Sequence, residues 1–173
     1  SQTDPTMALY AKPFEVELRI TTKKESEECA KSLLQSMENR IRERLGEYIY
    51  GVDRQLLEEV VIGLLAEKKL KVSVAESCTG GLICNKLTNV PGASEVFDRG
   101  FIVYSNEAKM KLLGVPEQVL KEHGAVSSQT ARYMAQGALS NSLADIALSV
   151  TELQGQAVEV KQNLLDLYIL ALQ

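Results

Sequence analysis

The segment Val72-Ser-Val-Ala-Glu-Ser77-Cys-Thr-Gly-Gly81 joins a short apolar run to a serine and two glycines. This pattern predicts a strand, a tight turn and the start of a helix. A hydroxyl on such a turn lies where backbone N–H groups and the positive end of the helix dipole converge, which suits an attacking oxygen or a bound anion. Ser77 is therefore a candidate nucleophile. The alternative is that Ser77 or Thr79 only caps the helix.

A second apolar run lies within Phe97-Asp-Arg-Gly-Phe-Ile-Val-Tyr104-Ser-Asn-Glu-Ala-Lys109, where a tyrosine ends the run and a lysine follows on the next helical turn. Two blocks follow downstream, Gly124-Ala-Val-Ser127 and Ala144-Asp-Ile-Ala-Leu-Ser-Val-Thr151. Together with the glycine turn, this order of segments resembles the CinA family over about residues 50–151. The resemblance implies a nicotinamide-nucleotide amidohydrolase domain, which converts nicotinamide mononucleotide to nicotinate mononucleotide and ammonia.

Lys109 is the candidate general base of that reaction. A lysine can replace histidine when burial or a nearby positive dipole lowers its pKa, because only the neutral amine accepts a proton. Lys109 comes just after the end of a predicted strand, and α/β sheets present their loops at the carboxyl ends of strands. Tyr104 would orient the amine or relay its proton, or would be a packing residue. The alternative for Lys109 is an ordinary exposed helix position.

The mechanism that the resemblance implies begins with attack of Ser77 on the amide carbon. Lys109 takes the serine proton and later returns one to the leaving ammonia. Backbone N–H groups of the glycine turn would hold the substrate and the developing oxyanion, and glycines there let the backbone approach closely. The residues expected to bind substrate in this way are Cys78, Thr79, Gly80 and Gly81.

Other reactive side chains near these motifs have open roles. Glu76 and Asn106 are further candidates for contacts with the substrate or with neighbouring groups. Cys78 is a rival nucleophile, whereas Cys84 is expected in the core. The single histidine, His123, lies in Lys-Glu-His-Gly beside a predicted loop, where a solvated side chain is more common than a catalytic one. We expect neither a metal nor another cofactor.

Composition and charge restrict the class of protein. The chain has 173 residues, 45% of them hydrophobic, which is enough to bury a real core in one or two domains. The net charge is −4 with acids and bases interspersed, so we expect a small-molecule nucleotide substrate and no nucleic acid. We expect no membrane span and a cytoplasmic location with reduced thiols. An apolar helix stripe near residue 57 would serve a homo-oligomer as well as a core.

The first 50 residues differ in character from the rest. Residues 14–21 alternate apolar and polar side chains, which predicts a half-buried strand. Thr22 and Glu25 form a capping box before a helix that ends at Gly46, and residues 47–51 predict a short returning strand. This unit resembles the KH-like connecting domain of long CinA proteins. It lacks the Gly-x-x-Gly loop that clamps a nucleotide backbone, so we interpret it as a spacer or packing domain. The resemblance implies a larger domain upstream, associated with ADP-ribose hydrolysis, and a chain cut from a longer protein.

Strands alternate with helices after residue 50. We expect strands over 72–75, 100–104 and 146–150, and a turn at Pro91-Gly92. Helices are expected over 53–68, 79–88, 107–113 and 128–139, with another beginning near Pro116. The prediction is therefore an α/β chain, with a layered α/β/α amidohydrolase domain over 51–173 and a small α+β KH-like domain over 1–50.

Residues 152–170 depart from the family pattern. The family continues after the Thr151 position with a Gly-Ile-Ala-Gly-Pro loop suited to phosphate and substrate. One nucleotide deleted after that threonine codon and one inserted near Leu170 convert a family-like sequence into the present one, so our hypothesis is a frameshifted segment. As written, the segment is a plausible helix, the substrate cradle is lost, and the chain stops before the family's last helices. The alternative function is then a non-catalytic remnant or interaction domain.

Overall fold

The computed structural model describes residues 4–12 and 15–151, together with the backbone of residues 156–160. The chain divides into two compact units, Ser1–Arg54 and Gln55–Gln173. The first unit contains strands β1 (Thr6–Lys12) and β2 (Glu15–Thr21), helix α1 (Glu27–Leu45) and a 3-10 turn over Gly46–Tyr48.

The first unit is a two-stranded antiparallel hairpin with one helix. Leu9 pairs with Leu18, and α1 packs against β2. The strand expected over 14–21 is confirmed from Glu15 onward, and residue 14 lies outside the described residues. Strand β1 was not predicted, because most of its residues are exposed and give no core pattern.

Two predictions for the first unit are wrong. Helix α1 is capped by Ser26, whose Oγ accepts a hydrogen bond from the Cys29 N–H at 3.2 Å. The Thr22 hydroxyl instead donates to the Asp4 carboxylate at 2.9 Å. Residues 47–51 form no returning strand, because the chain makes a 3-10 turn directly after Gly46.

The second unit is built around a four-stranded sheet. Its strands are β3 (Val72–Glu76), β4 (Phe97–Ile102), β5 (Ile146–Val150) and β6 (Gln156–Val160). They lie in the order β4-β3-β5-β6; β3 is parallel to both neighbours, and β6 is antiparallel to β5. The helices are α2 (Leu57–Lys68), α3 (Leu82–Thr88), α4 (Ala93–Val96), α5 (Asn106–Leu113), α6 (Glu117–His123) and α7 (Ser128–Ser140).

Apolar side chains form one cluster on each face of this sheet. One cluster joins β3 and β5 to helices α2, α3 and α4, through Ile62, Leu65, Leu70, Val72, Val74, Leu87, Ala93, Val96 and Ile146. The other joins the same strands to helices α5, α6 and α7, through Ala75, Val103, Leu113, Val115, Leu120, Met134, Ala138 and Ala147. Because neighbouring residues of a strand face opposite ways, β3 contributes to both clusters. The expected α/β/α layering is confirmed.

Several boundaries differ from the sequence prediction. Helix α2 begins at Leu57 rather than near Asp53, whose φ of 58° is left-handed and not helical. Helix α3 begins at Leu82 because Gly80 and Gly81 have φ values of 59° and 102°. Strand β4 spans Phe97–Ile102 rather than the expected 100–104. Its backbone pairing with β3 includes Arg99, a charged residue that interrupts the apolar pattern of the sequence. Helix α4 was not predicted, because its four residues are too few to show helical periodicity in the sequence.

The segment that departs from the family pattern contains strand β6 rather than a helix over 156–160. Its backbone pairs with β5 along its length, from Val150 opposite Gln156 to Ile146 opposite Val160. Pairing with an available sheet edge overrides helix propensity, which is a weak preference. Residues 152–155 and 161–170 lie outside the described residues. Among the helices described, none is both long enough and apolar enough to cross a membrane.

Candidate active site

The end of strand β3 places two polar side chains on opposite faces of the sheet. Glu76 follows Val72 and Val74 on the face of helices α2 to α4, and Ser77 follows on the face of α5 to α7. The Ser77 N–H donates to the Val150 carbonyl at 2.9 Å, and the Glu76 carbonyl accepts from the Val103 N–H at 2.8 Å. The turn is therefore bonded to both neighbouring strands, which fixes where its side chains point.

Lys109 reaches this turn from helix α5. Its Nζ lies 3.0 Å from Ser77 Oγ and donates to the carbonyls of Val103 and Tyr104, each at 2.9 Å. Helix α5 is held at its start by Ser105, whose Oγ accepts from the Ala108 N–H at 3.0 Å. The sequence prediction that Ser77 and Lys109 lie together therefore describes the observed geometry.

The Lys109 amine is shielded from water, with only 1% of the residue exposed. Burial lowers its pKa below the ordinary value, and a smaller electrostatic interaction with Cys78 opposes that effect. An ammonium group has three donors and no lone pair, whereas a neutral amine has two donors and one acceptor. In the neutral form the two carbonyls take both N–H groups, and the lone pair is left for the Ser77 hydroxyl. This is the arrangement a general base requires.

The backbone donors of the turn are fewer than the sequence suggests. The Gly80 N–H donates to the Ser77 carbonyl at 3.2 Å and the Gly81 N–H to a Glu76 carboxylate oxygen at 3.0 Å, so neither is available to a substrate. These N–H groups are therefore not free to hold an oxyanion, and the prediction that Gly80 and Gly81 bind substrate in another way stays a prediction. Within the described residues, the N–H groups of Cys78 and Thr79 have no acceptor. They remain as the donors available to an oxyanion.

Glu76 is fully buried and faces the protein interior. Its carboxylate accepts hydrogen bonds from the N–H groups of Gly81 at 3.0 Å, Ile83 at 3.1 Å and Cys84 at 2.7 Å. Of the two roles expected for Glu76, these bonds show the contact with neighbouring groups, and contact with substrate stays a prediction. Burial raises the pKa of this carboxyl, but hydrogen bonds led by Cys84 outweigh that effect and the net pKa is lowered. Among the described residues, buried Thr79 Oγ1 has no partner at hydrogen-bond distance.

Known protein families match both units of the chain. Residues 54–165 match the model of the CinA C-terminal domain, and residues 1–51 match the KH domain of damage-inducible protein CinA. The chain belongs to the CinA family. A putative competence-damage inducible protein of Caldicellulosiruptor bescii is 95% identical over 155 residues, which are 90% of this chain and 38% of that protein. One from Clostridium acetobutylicum is 50% identical over 94% of this chain and 40% of its own length. The chain thus spans about two fifths of these CinA relatives.

Solved structures of the CinA family share the fold. The competence/damage inducible protein CihA of Agrobacterium tumefaciens is 48% identical with a TM-score of 0.55, covering 60% of this chain and 62% of that one. A CinA superfamily protein of Escherichia coli is 29% identical with a TM-score of 0.53, covering 61% and 64%.

The remaining residues predicted for the CinA site lie in different settings. Tyr104 is 78% exposed and meets the Lys109 amine through its carbonyl, so the structure gives the phenol no part in orienting that amine. Asn106 is the exposed first residue of α5 and lines a recess of about 210 Å³ beside α6. The Cys78 thiol is exposed. Cys84 packs against the core, as expected, and burial together with the Glu76 charge raises its pKa to about 12.

The single histidine lies at a helix end. His123 ends α6, with its Nε2 4.0 Å from a Glu122 carboxylate oxygen. Within the part of the chain that the structure describes, neither Ser77 nor Lys109 bonds to it. Over the same residues, no three His, Cys, Asp or Glu side chains are grouped so that they could hold a metal ion.

Some contacts of the site had no signal in the sequence. The Val103 carbonyl beside Lys109 is a backbone group, which residue identity does not reveal. Thr151 is 2% exposed and its hydroxyl donates to the Ala125 carbonyl at 2.6 Å, which holds the Gly124-to-Ser127 block against the end of β5. The sequence showed both blocks as parts of the family pattern, but not that they bond to each other.

Proposed function

We propose that this chain is an amidohydrolase that deamidates nicotinamide mononucleotide through a Ser77–Lys109 dyad. The observation that carries the proposal is the buried Lys109 amine at 3.0 Å from the Ser77 hydroxyl. Membership of the CinA family and the depressed pKa of Lys109 support it. The substrate is a small nucleotide, with no nucleic acid and no membrane as partner, and neither a metal nor another cofactor is invoked.

The proposed reaction has two steps. Ser77 Oγ attacks the carboxamide carbon while its proton passes to the Lys109 amine, and the N–H groups of Cys78 and Thr79 stabilise the oxyanion. Lys109 then donates that proton to the amide nitrogen, and the C–N bond breaks. Ammonia departs, and the acyl group stays bound to Ser77 Oγ as a covalent acyl-enzyme. A water molecule, deprotonated by Lys109, attacks the same carbon. The proton returns to Ser77 Oγ as nicotinate mononucleotide departs.

The test is release of ammonia from nicotinamide mononucleotide by protein whose intact mass has been verified. We expect turnover by the unaltered chain and none above background by Ser77→Ala or Lys109→Ala. Nicotinamide and nicotinamide riboside, measured alongside, would show whether the nucleotide phosphate is required. Folding of each variant is checked by circular dichroism.

The alternative of a non-catalytic remnant predicts the opposite result. A correctly folded chain of verified mass that releases no ammonia would contradict the proposed activity. The verified mass also tests the frameshift hypothesis for residues 152–170. Self-association stays a prediction, which light scattering on the same sample would measure.

A further inference from the structure

We propose that Glu76 is a positioning residue that holds the nucleophile turn in its reactive shape and leaves the amides of Cys78 and Thr79 unpaired. The inference rests on the proposed function, since it assigns those amides to the oxyanion. Glu76 touches no reacting atom. It acts through the backbone of residues 77–84.

The first argument is the hydrogen-bond geometry of helix α3. The first turn of a helix has N–H groups without intrahelical partners, and a side chain at the N-cap usually accepts one of them. The N-cap of α3 is Gly81, which has no side chain for this purpose. The Glu76 carboxylate, coming from β3, accepts from Gly81, Ile83 and Cys84 instead. An anion in this position also complements the positive end of the helix.

The second argument is the position of Glu76 beside the nucleophile. Glu76 directly precedes Ser77, and its carboxylate accepts from Gly81, Ile83 and Cys84 on the far side of the turn, while the Leu82 N–H donates to the Thr79 carbonyl at 3.0 Å. The loop is therefore closed at both ends, with Ser77, Cys78, Thr79 and Gly80 between them. The Glu76 carboxylate accepts from Gly81, Ile83 and Cys84, and the Ser77 carbonyl accepts from Gly80. Among the described residues, the two amides directly after the nucleophile are left without an acceptor. In other serine hydrolases the N–H after the nucleophile is an oxyanion donor.

The third argument separates a geometric role from an electrostatic one. Glu76 and Ser77 lie on opposite faces of the sheet, and the influences on the pKa of Lys109 are its burial and Cys78. Removing the Glu76 charge should therefore leave the pH dependence of the dyad in place. Removing the charge should weaken the stabilisation of the transition state by the amides of Cys78 and Thr79, and should leave its other contributions unchanged.

The experiment compares Glu76→Gln with the matched control Glu59→Gln. Glu59 also accepts a backbone N–H, that of Leu56 at 3.0 Å, but at the exposed start of α2. The glutamine amide group would point N–H donors at backbone N–H donors, so E76Q should disturb the turn. We expect kcat for nicotinamide mononucleotide to fall by about 10²- to 10³-fold, the loss typical of an oxyanion donor. KM and the midpoint of the pH profile should stay unchanged, and E59Q should behave as the unaltered protein.

Two results would overturn the inference. One is a kcat of E76Q equal to that of the unaltered protein. The other is an increase in KM with kcat unchanged, which would make Glu76 a substrate contact. If E76Q does not fold, amide hydrogen exchange measured on the unaltered protein takes the place of the kinetic comparison. The amides of Gly81, Ile83 and Cys84 should be protected and those of Cys78 and Thr79 should exchange rapidly, and the reverse pattern would refute the proposal.

A second reaction separates this inference from the proposed function. Phenylmethylsulfonyl fluoride should sulfonylate Ser77, since an Oγ–S bond forms, the S–F bond breaks, fluoride leaves and the serine proton passes to Lys109. Labelling is followed by intact mass, with Ser77→Ala as the unreactive control. One outcome is that the unaltered protein labels rapidly and E76Q slowly, although the unaltered protein releases no ammonia from nicotinamide mononucleotide. That result would refute the proposed substrate and retain the role of Glu76. Equal labelling of both would refute that role.

Discussion

Lys109 Nζ lies 3.0 Å from Ser77 Oγ, across 32 residues of chain, in a site where the lysine is 1% exposed. The cost of burying a charge favours the neutral amine, and two backbone carbonyls take its N–H groups. In that neutral form the lone pair is left to accept from the Ser77 hydroxyl. Fold and burial together thus support the proposed role of Lys109 as a general base.

The pH dependence of the reaction should follow Lys109. Protonation removes the lone pair, so activity is absent at pH values well below the depressed pKa of Lys109. We expect kcat/KM to rise as the pH increases through that pKa, which lies below 10.5, and then to level off. The measurement is kcat/KM for nicotinamide mononucleotide from weakly acidic to alkaline pH, with circular dichroism at each pH. A profile that falls with increasing pH while the protein stays folded would contradict a lysine base.

The identity of the nucleophile can be tested by replacing Ser77 and its neighbour Cys78, one at a time, by alanine. Ser77 touches the amine, whereas Cys78 is exposed. Cys78→Ala keeps the backbone N–H of residue 78, so we expect it to retain ammonia release within a few-fold of the unaltered chain. Ser77→Ala should lose it. Activity in Ser77→Ala together with loss in Cys78→Ala would make the thiol the nucleophile.

The cysteines should differ in reactivity toward iodoacetamide. Thiolate is the reactive species, and a pKa of about 12 keeps Cys84 protonated at neutral pH. Cys29 and Cys78 are both exposed. We expect peptide mass mapping after brief alkylation of the folded protein to find modified Cys29 and Cys78 and unmodified Cys84. After unfolding in denaturant, all three should react. Rapid native labelling of Cys84 would show that its thiol is not held as described.

Two helical glycines should respond to alanine with opposite signs. A Cβ at Gly137 in α7 would collide with the backbone carbonyl of Leu113, which cannot move without shifting α5. We expect Gly137→Ala to lower the free energy of unfolding by roughly 1–3 kcal/mol. Gly63 in α2 has open space around it, and alanine there should raise that free energy by about 0.5–1 kcal/mol through helix propensity. Urea unfolding measures both, and equal effects would contradict the close packing of α7 against α5.

The cap of helix α1 gives a prediction for the first unit. Ser26 Oγ accepts the Cys29 N–H, so Ser26→Ala should destabilise that unit by about 0.5–2 kcal/mol. Thr22→Ala removes only an exposed bond to Asp4 and should cost less. Thermal unfolding followed by helical circular dichroism would compare the two. A larger loss of stability for Thr22→Ala than for Ser26→Ala would instead support a capping box at Thr22 and Glu25.

The sequence by itself determined the α/β alternation, the extent of β5, the end of α5 at Gly114, and the choice of Ser77 and Lys109. The first three follow from apolar periodicity and from the left-handed conformation that glycine allows, whereas the choice of Ser77 and Lys109 also rested on the resemblance of the segment order to the CinA family. Only the tertiary structure decided which turn amides are free, that Glu76 faces inward, and that residues 156–160 pair as a strand. The strand over 156–160 depends on the available β5 edge, and the turn amides and Glu76 depend on hydrogen bonds that exist only in the folded chain, such as those from Gly81, Ile83 and Cys84 to the Glu76 carboxylate. The physical reason is that hydrogen-bond satisfaction and burial are properties of the packed molecule, which local sequence does not specify.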